Sequence, residues 1–461
     1  MSKSRHVADT ILKAINEGRL APGARLASIR EAARQHGVSK NTIVDAYDQL
    51  IALGRLRARQ GAGFFVTQPP ALEAREKTYE LKEAVDSVSL LREQLVGNFQ
   101  VRVGDGRAPA SWMGGAALAR QAKRLTSIGN DDIEYGAPQG YLPLRETIAR
   151  VLAGRSIHAS HEQVLLTFGA NHAFDLIIRH LIAPGDRVLV ETPGYYPLFG
   201  KLRLAKAKLI GVSRSHDGLD LDDLERKIIQ YRPNVFFLQP NAHNPTGSTL
   251  SLNQLYRLLT LAERYNLILV EDDAFADLLH RGSAHLAALD DLSRVIYVGT
   301  FSKTLSTGIR SGYLAANPGL VNALTDIKMV TVVNSSTFSE RLIHEMITHG
   351  RYRRHLVQLR ERITKASAST ITALKEVGLE NIEGPGEGYY LWARLPNNID
   401  AMQLAKIASD EGIFIAPGSI FSLRPNGPDA SSMRMHIAYA NDHRFLGFLE
   451  RFLGVSVHPT T

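Results

Sequence analysis

Six short apolar runs between residues 160 and 316 limit the fold of this chain more than any other feature of its sequence. Stretches of helical periodicity separate the runs, and strands that alternate with helices in this way form a largely parallel sheet with helices on both faces. The runs are residues 164–167, 188–190, 235–238, 267–270, 295–298 and 312–316. The sequence therefore predicts an α/β domain.

The segment around Lys303 carries the most chemical information. The hydroxyls of Thr300 and Ser302 precede the lysine, and the guanidinium of Arg310 follows seven residues after it. A lysine amine can form a Schiff base, while hydroxyls and a guanidinium can hold a phosphate, so the segment suits pyridoxal phosphate. A lysine beside serines is more often a solvated loop residue. The hypothesis therefore depends on companion motifs.

Three motifs before Lys303 fit the same cofactor. Ala170 and Asn171 follow a predicted strand and open a helix, whose backbone amides and dipole can bind a phosphate. Tyr195 follows another strand and can stack on a pyridine ring, although a buried core tyrosine is the simpler interpretation. Asn244, in an Asn-Pro-Thr-Gly turn, can donate to the cofactor's phenolic oxygen.

Two charged residues complete the predicted site. Asp272 ends a predicted strand, where a carboxylate can keep the pyridine nitrogen protonated; the alternative is a helix cap. Arg434 can pair with a substrate carboxylate, or it can form a structural ion pair. The 16 histidines are scattered without ligand spacing, so no metal site is predicted.

The positive charge of the chain is concentrated near its start. Residues 1 to 69 contain 11 Lys and Arg against 5 Asp and Glu, which accounts for most of the net charge of +8. A basic domain attached to a nearly neutral one indicates a polyanionic partner for the basic domain. An ordinary basic surface would have the same composition. The predicted secondary structure of this segment therefore decides between a polyanion-binding domain and an ordinary basic surface.

Three helices are predicted in the basic segment. Apolar residues between Val7 and Ile15 recur at helical spacing, Ser28 can cap a second helix, and Ser39 can cap a third. This is the layout of a helix-turn-helix, in which the start of the third helix meets the major groove. The side chains there that can bond phosphates or base edges are Ser39, Lys40, Asn41 and Thr42.

Two short strands are predicted after the third helix. Arg57 and Arg59 alternate along the first strand and so share one face, while Gly61 in the connection lets the backbone approach a sugar-phosphate surface. The two strands form a wing. The alternative is a small helical domain that contacts only protein.

This segment resembles the winged-helix domain of the GntR family of bacterial regulators, over residues 5 to 67. The matching motifs are residues 25–31, 37–42, 46–47 and 61–66. The resemblance implies contacts with double-stranded DNA by the wing and by Ser28, Arg30, Ser39, Lys40, Asn41, Thr42 and Tyr47. Ala27 and Lys40 depart from residues common in the family, so the base preference is expected to differ while the fold is retained.

Residues 98 to 455 resemble the fold-type I aminotransferase family in the identity, order and approximate spacing of the motifs at Tyr195, Asn244, Asp272 and Lys303. The resemblance implies a mostly parallel seven-stranded sheet with a small carboxyl-terminal α+β subdomain, formed mainly by residues 330–461. It also implies that Lys303 carries an internal aldimine with pyridoxal phosphate. Tyr135 matches a tyrosine that reaches the phosphate of the neighbouring subunit, which implies a homodimer.

A winged helix joined to such a domain resembles the MocR family of transcriptional regulators. The resemblance implies a protein that binds promoter DNA and senses pyridoxal phosphate, or an amino acid or amine, through an aldimine at Lys303. The alternative is a working aminotransferase with an accessory DNA-binding domain. Phe275 and residues 306–307 depart from the aminotransferase pattern, and Ala274 replaces a tyrosine common nearby in the regulators. These departures argue mildly against efficient turnover. A third possibility, a dimerization scaffold, would not need the retained site residues.

The expected organisation has three parts: a DNA-binding domain over residues 1–69, a partly helical linker over 70–97 and the cofactor domain over 98–461. Neither a signal peptide nor a membrane span is visible, so a cytoplasmic protein is expected. The chain has no cysteine, and hence no disulfide framework or thiolate metal site.

Overall fold

The computed structural model describes residues 3–17, 19–59, 61–67, 92, 95, 97–125, 134–279, 283–384 and 387–454. The chain divides into two compact units, residues 1–80 and 81–461. Most of the predicted linker lies outside the described residues. Within the described residues, no helix is both long enough and apolar enough to cross a membrane.

Three helices and a two-stranded sheet form the described part of the first unit. The helices are α1 (Lys3–Asn16), α2 (Ile29–His36) and α3 (Lys40–Ala52), and the antiparallel strands are β1 (Leu56–Arg59) and β2 (Gly63–Val66). Ser28 and Ser39 cap α2 and α3, since each hydroxyl accepts the backbone N–H three residues later. Gly37 ends α2 at φ 62°, a left-handed conformation that favours glycine. The predicted winged helix is confirmed.

Tyr47 lies in the core of this unit, and the expectation of a DNA contact through it is wrong for its ring. The side chain is only 1% exposed, its hydroxyl donates to the Ala27 carbonyl at 2.9 Å, and its ring meets the edge of Phe64 at 4.8 Å. Tyr47 therefore fixes the wing and the start of α2 against α3.

A mixed eight-stranded sheet organises the second unit. Its order is β3-β10-β9-β8-β7-β4-β5-β6. All six predicted strands are present, and β10 alone runs antiparallel among the central seven. The two-residue strand β6 adds an antiparallel edge that the sequence did not predict. The strands are β3 (Val164–Thr167), β4 (Arg187–Thr192), β5 (Lys208–Ser215), β6 (Gly218–Leu219), β7 (Val235–Leu238), β8 (Ile268–Asp273), β9 (Val295–Thr300) and β10 (Gly312–Ala315).

Side chains that alternate between the two faces of the buried strands form two separate hydrophobic cores. Leu165 and Phe237 pack in one apolar cluster, whereas their neighbours Leu166 and Phe236 pack in the other. Successive side chains of a strand point to opposite faces, so both faces of the sheet are covered. The helices of this part are α4 (Gly115–Ala122), α5 (Leu142–Ala153), α6 (Ala170–Leu181), α7 (Tyr196–Leu204), α8 (Leu221–Tyr231), α9 (Leu252–Arg264), α10 (Leu286–Asp290), α11 (Pro318–Val332) and α12 (Thr337–Thr348).

A four-stranded antiparallel sheet follows the long helix α13 (Arg351–Glu376). Its order is β11-β12-β14-β13, and it accompanies helices α14 (Ala401–Asp410) and α15 (His443–Leu453). The strands are β11 (Ile382–Glu383), β12 (Tyr390–Arg394), β13 (Ala416–Pro417) and β14 (Ser432–His436). The two central strands β12 and β14 carry side chains that reach the cavity described below.

A buried ion pair joins the neighbouring strands β4 and β5 of the large sheet. Arg214 Nη1 lies 2.7 Å from Glu191 Oε1, and both side chains are at most 4% exposed. The other oxygen of Glu191 accepts the backbone N–H of Gln239 and lies 3.3 Å from His243 Nε2. Burial alone would raise the pKa of Glu191, but His243 and Arg214 outweigh it and hold that pKa below its ordinary value.

Arg214→Met should lower the free energy of unfolding by about 3–5 kcal/mol, because it leaves the Glu191 carboxylate buried without its cation. The control is Arg226→Met, which removes a 67% exposed arginine from a surface pair and should cost at most about 1 kcal/mol. Urea denaturation measures both. Equal losses in the two variants would contradict a structural role for the buried pair.

Candidate cofactor site and DNA-binding surface

A cavity of about 460 Å³ opens at the carboxyl ends of the large-sheet strands. Ligand sites in open α/β sheets lie at this edge. Ten of the residues predicted from the sequence line it together. They are Ala170, Asn171, Tyr195, Asn244, Asp272, Thr300, Ser302, Lys303, Arg310 and Arg434.

Lys303 projects its amine into this cavity and is held from two sides. Lys303 Nζ donates to the Gly106 carbonyl at 2.6 Å and lies 3.0 Å from the Tyr390 hydroxyl. That hydroxyl also donates to Gly106, at 2.9 Å. Sequence reasoning missed Tyr390, which lies 87 residues from the lysine. Phe275, which lacks a hydroxyl, packs edge-on against the Tyr390 ring.

An anion cradle lies at the start of α6. Gly169 has φ 82°, and a Cβ on it would stand 3.4 Å from Arg310 Nη2 and 3.6 Å from Ser302 Oγ. Arg310 Nη2 also donates to the Phe168 carbonyl at 3.0 Å. Backbone amides at a helix start, a hydroxyl and a guanidinium thus converge on one point, which suits a phosphate.

Asp272 is the anion of the cavity, a half-buried residue whose Oδ1 is enclosed. Its Oδ1 has no hydrogen-bond partner among the described residues. Burial, followed by the neighbouring negative charge of Asp273, raises its pKa to about 7, against the opposing effect of Lys303. A carboxylate in this state favours a cationic hydrogen-bond donor beside it.

Alternation along β8 separates Asp272 from its two acidic neighbours. Glu271 and Asp273 point to the other face, where they meet His285, with ligand atoms of all three within 4.8 Å of one another. Protein groups engage this cluster: Glu271 accepts the N–H groups of Leu286 and Ala287 at the start of α10, and Asp273 accepts the Tyr297 hydroxyl. These bonds join β8 to the start of α10 and to β9, and the absence of a metal site stays a prediction.

Arg434 enters the cavity from the small sheet. Its side chain is 2% exposed, and its two terminal nitrogens donate to Asn244 Oδ1 at 2.9 Å and to the Gly104 carbonyl at 2.7 Å. Its Nε has no partner among the described residues. The guanidinium thus remains a buried cation bonded to neutral acceptors, and Asn244 keeps its amide nitrogen for another acceptor in the cavity.

Tyr195 lines the cavity, whereas Tyr135 lies on the exposed surface. The Tyr195 hydroxyl lies 3.4 Å from Asn171 Oδ1, and burial together with the charge of Asp272 raises the pKa of Tyr195. Tyr135 does not line this cavity, and its side chain is 85% exposed. A role for Tyr135 at a cofactor therefore requires a second copy of the chain.

The first unit presents a basic surface around the start of α3 and the wing. Arg30, Lys40, Asn41, Arg57 and Arg59 are exposed there, as is Gly61 at φ 74°. The Arg59 guanidinium lies 5.0 Å from the centre of the Phe65 ring. The Ser39 hydroxyl also contacts the Thr42 hydroxyl at 2.8 Å. Ser28 and Ser39 each cap a helix, so both have a structural function as well.

Comparison with known proteins assigns both units. Residues 115–451 match the family of class I and II aminotransferases, and residues 3–66 match the gntR family of bacterial regulatory proteins. The chain belongs to the class I and II aminotransferase family. Its GntR domain followed by an aminotransferase-family domain is the domain organisation of a MocR-type regulator, as the sequence predicted.

Three relatives show how far the similarity extends. The uncharacterized HTH-type transcriptional regulator YisV of Bacillus subtilis is 26% identical over 95% of this chain and 91% of its own length. The 2-aminoadipate transaminase of Thermus thermophilus is 31% identical over 70% of this chain and 81% of its own length. The structure of LysN, an alpha-aminoadipate aminotransferase from Thermus thermophilus, is 27% identical over 81% of this chain and 99% of its own, with a TM-score of 0.72.

The cavity fits the cofactor of this aminotransferase-family fold. LysN was solved with N-(5'-phosphopyridoxyl)-L-leucine. In the present chain, the cradle at Gly169 suits the phosphate, the orphaned Asp272 oxygen suits a protonated pyridine nitrogen, and Lys303 supplies the amine. These findings support pyridoxal phosphate as the cofactor, as the sequence predicted.

Asp272→Asn should stabilise the cofactor-free protein by about 2–4 kcal/mol at about pH 8. The folded state binds the Asp272 proton more tightly than the unfolded chain does, so wild-type stability falls as the pH rises from about 4 to about 7. The gain from the variant should disappear towards the lower end of that window. Thermal unfolding across this pH range measures the difference.

The same variant should retain pyridoxal phosphate less well, because an amide cannot keep the pyridine nitrogen protonated. Asp410→Asn, at an exposed carboxylate, is the control and should change neither property. A stability gain that is equal at every pH would contradict the buried, uncompensated carboxylate.

Proposed function

We propose that this chain is a DNA-binding transcriptional regulator whose pyridoxal phosphate site senses an amino acid or amine. The observation that carries the proposal is the position of the Lys303 amine, which shares one cavity with the Gly169 cradle and the orphaned Asp272 carboxylate. The same chain carries a GntR winged helix. YisV, which matches nearly the whole chain, is named as an HTH-type transcriptional regulator.

The contacts of the site residues support a role for each toward the cofactor. Lys303 would attach it, Asp272 would bond its pyridine nitrogen, and Arg310, Ser302 and Thr300 would hold its phosphate with the amides of Ala170 and Asn171. Tyr195 would pack on the ring and Asn244 would donate to the phenolic oxygen. When bound, the cofactor supplies an electrophilic carbon that reacts reversibly with primary amines. The Arg434 guanidinium binds the carboxylate of the incoming amine, since a buried cation favours an anionic partner.

DNA binding belongs to the exposed basic surface of the first unit. Lys40, Asn41 and Thr42 at the start of α3 face the major groove, and Arg57 and Arg59 of the wing contact the backbone. An amine that binds at Lys303 changes this binding only if it has different affinities for two arrangements of the protein. The coupling is equal in both directions, so promoter DNA must also change the affinity for the amine.

A homodimer completes the cofactor site. Val330 is 88% exposed, and Met329 and Phe338 are each more than 40% exposed, around the junction of α11 and α12. Gly136 packs against Thr337 at the start of α12, and this places the exposed Tyr135 beside the same apolar surface. Burial of that surface against a second copy would carry Tyr135 to the partner's phosphate.

Aminotransferase turnover is the second candidate function. The Tyr390 hydroxyl, 3.0 Å from Lys303 Nζ, can supply the hydrogen bond that Phe275 lacks. A lysine amine near the substrate carbon can also move a proton as a general base. Formation of a keto acid from an amino acid would establish this activity.

Lys303→Ala should abolish the visible absorbance that pyridoxal phosphate gives when it is bound to the wild-type protein. It should also make promoter binding insensitive to amines, because the site of attachment is lost. Lys365→Ala, at an exposed lysine of α13, is the matched control and should behave like the wild type. Unchanged absorbance in the Lys303 variant would overturn the assignment.

Val330→Glu should weaken dimerization by at least about 30-fold, since it places a charge in the proposed apolar interface. Ile229→Glu introduces the same charge at another exposed apolar residue, on α8, and should leave the dimer intact. Sedimentation equilibrium measures both. A Val330 variant that dimerizes as tightly as the wild type would place the interface elsewhere.

A further inference from the structure

A histidine is hydrogen-bonded to the turn that forms the anion cradle at Gly169. His172 lies in the first turn of α6, and its Nδ1 accepts the backbone N–H of Phe168 at 3.1 Å. We propose that His172 is a positioning residue, which holds the Phe168–Gly169 turn in the form that binds a phosphate monoester. This inference rests on the proposed placement of the cofactor phosphate at Gly169.

The backbone of Phe168 is held at both of its polar groups. Its N–H donates to His172, and its carbonyl accepts Arg310 Nη2 at 3.0 Å. Arg310 is the guanidinium of the anion cradle, since its Nη2 would lie 3.4 Å from a Cβ on Gly169. His172 therefore holds the same residue that the proposed phosphate-binding arginine holds, one position before the glycine.

The conformation of this turn determines which amides the cradle offers. Gly169 has φ 82°, and its carbonyl accepts the Thr167 hydroxyl at 3.1 Å and the His172 N–H at 3.0 Å. The backbone N–H groups of Ala170 and Asn171 open α6 and have no acceptor among the described residues. Their direction, and hence their ability to bond a phosphate, is set by the turn that precedes them.

The imidazole of His172 is neutral when it makes this bond. An Nδ1 that accepts a hydrogen bond carries no proton, so the proton lies on Nε2, which is enclosed and has no partner among the described residues. Burial, and then the positive charge of Lys328, lower the pKa of His172 to about 4, so the neutral form prevails near pH 7. His172 thus supplies the turn with an acceptor rather than with a charge.

Binding of two forms of the cofactor to the full-length protein tests the proposal. Pyridoxal phosphate and pyridoxal share the ring and the aldehyde, and only the first carries a phosphate. Each is titrated into the cofactor-free protein, and visible absorbance measures the binding. His172→Leu leaves the Phe168 N–H without an acceptor, so it should weaken pyridoxal phosphate by at least about fivefold and change pyridoxal by less than about twofold.

Three further variants separate the hydrogen bond from a general loss of structure. His172→Asn places an amide oxygen where Nδ1 lies and should bind pyridoxal phosphate within about twofold of the wild type. His180→Leu removes an exposed histidine near the other end of α6 and should bind both compounds like the wild type. His172→Ala removes the acceptor with a strong helix former, so the comparison can be made even if the leucine variant does not fold.

The outcomes distinguish the role of His172 from the placement of the cofactor. Equal weakening of both compounds in the leucine and alanine variants, or no rescue by asparagine, would overturn the positioning role alone. If the wild type binds pyridoxal phosphate no more tightly than pyridoxal, the phosphate is not held at Gly169, and the proposed placement falls together with the role of His172. The titrations contain neither amino acid nor DNA, so amine sensing and promoter binding are tested separately.

Discussion

The carboxylate of Asp272, with its Oδ1 enclosed and unpartnered among the described residues, is the constraint on which the cofactor site depends. Strand β8 carries it into the cavity, and the pleat directs Glu271 and Asp273 to the opposite face, where Glu271 accepts two backbone amides and one oxygen of Asp273 accepts the Tyr297 hydroxyl. Asp272 Oδ1 keeps no partner among the described residues, and burial with a negative neighbour raises the Asp272 pKa to about 7. The unliganded protein thus bears an electrostatic cost that a protonated pyridine nitrogen would relieve.

The site joins two sheets that lie far apart in sequence. The large sheet contributes Lys303 and Asp272, and the small sheet contributes Tyr390 and Arg434. The loop around Gly106 connects them, since Lys303 and Tyr390 both donate to its Gly106 carbonyl and Arg434 donates to the Gly104 carbonyl. A ligand that draws Lys303 away from Gly106 would remove one of these bonds. Binding of a ligand at Lys303 can therefore change the hydrogen bonds that connect this loop to the small sheet.

Much of this arrangement could be predicted from the sequence because its signals are local. Fully buried strands such as β7 are continuous apolar runs, and polar motifs at their ends converge wherever parallel strands are adjacent. Strand β5 escaped prediction because its mixture of polar and apolar residues is typical of a partly exposed strand near the sheet edge. Tyr390 escaped because its proximity to Lys303 arises only from tertiary folding. The burial of Tyr47 corrects a role that was expected from resemblance alone.

The most direct test of the central claim measures promoter binding and cofactor absorbance in one titration. The full-length protein, loaded with pyridoxal phosphate, is bound to its own upstream DNA, and an amino acid is added while fluorescence anisotropy and visible absorbance are recorded together. The account predicts that the DNA affinity changes by about 5- to 150-fold over the same concentration range in which the absorbance changes. A complete absorbance change with constant DNA affinity would contradict it, and accumulation of keto acid would then identify an enzyme.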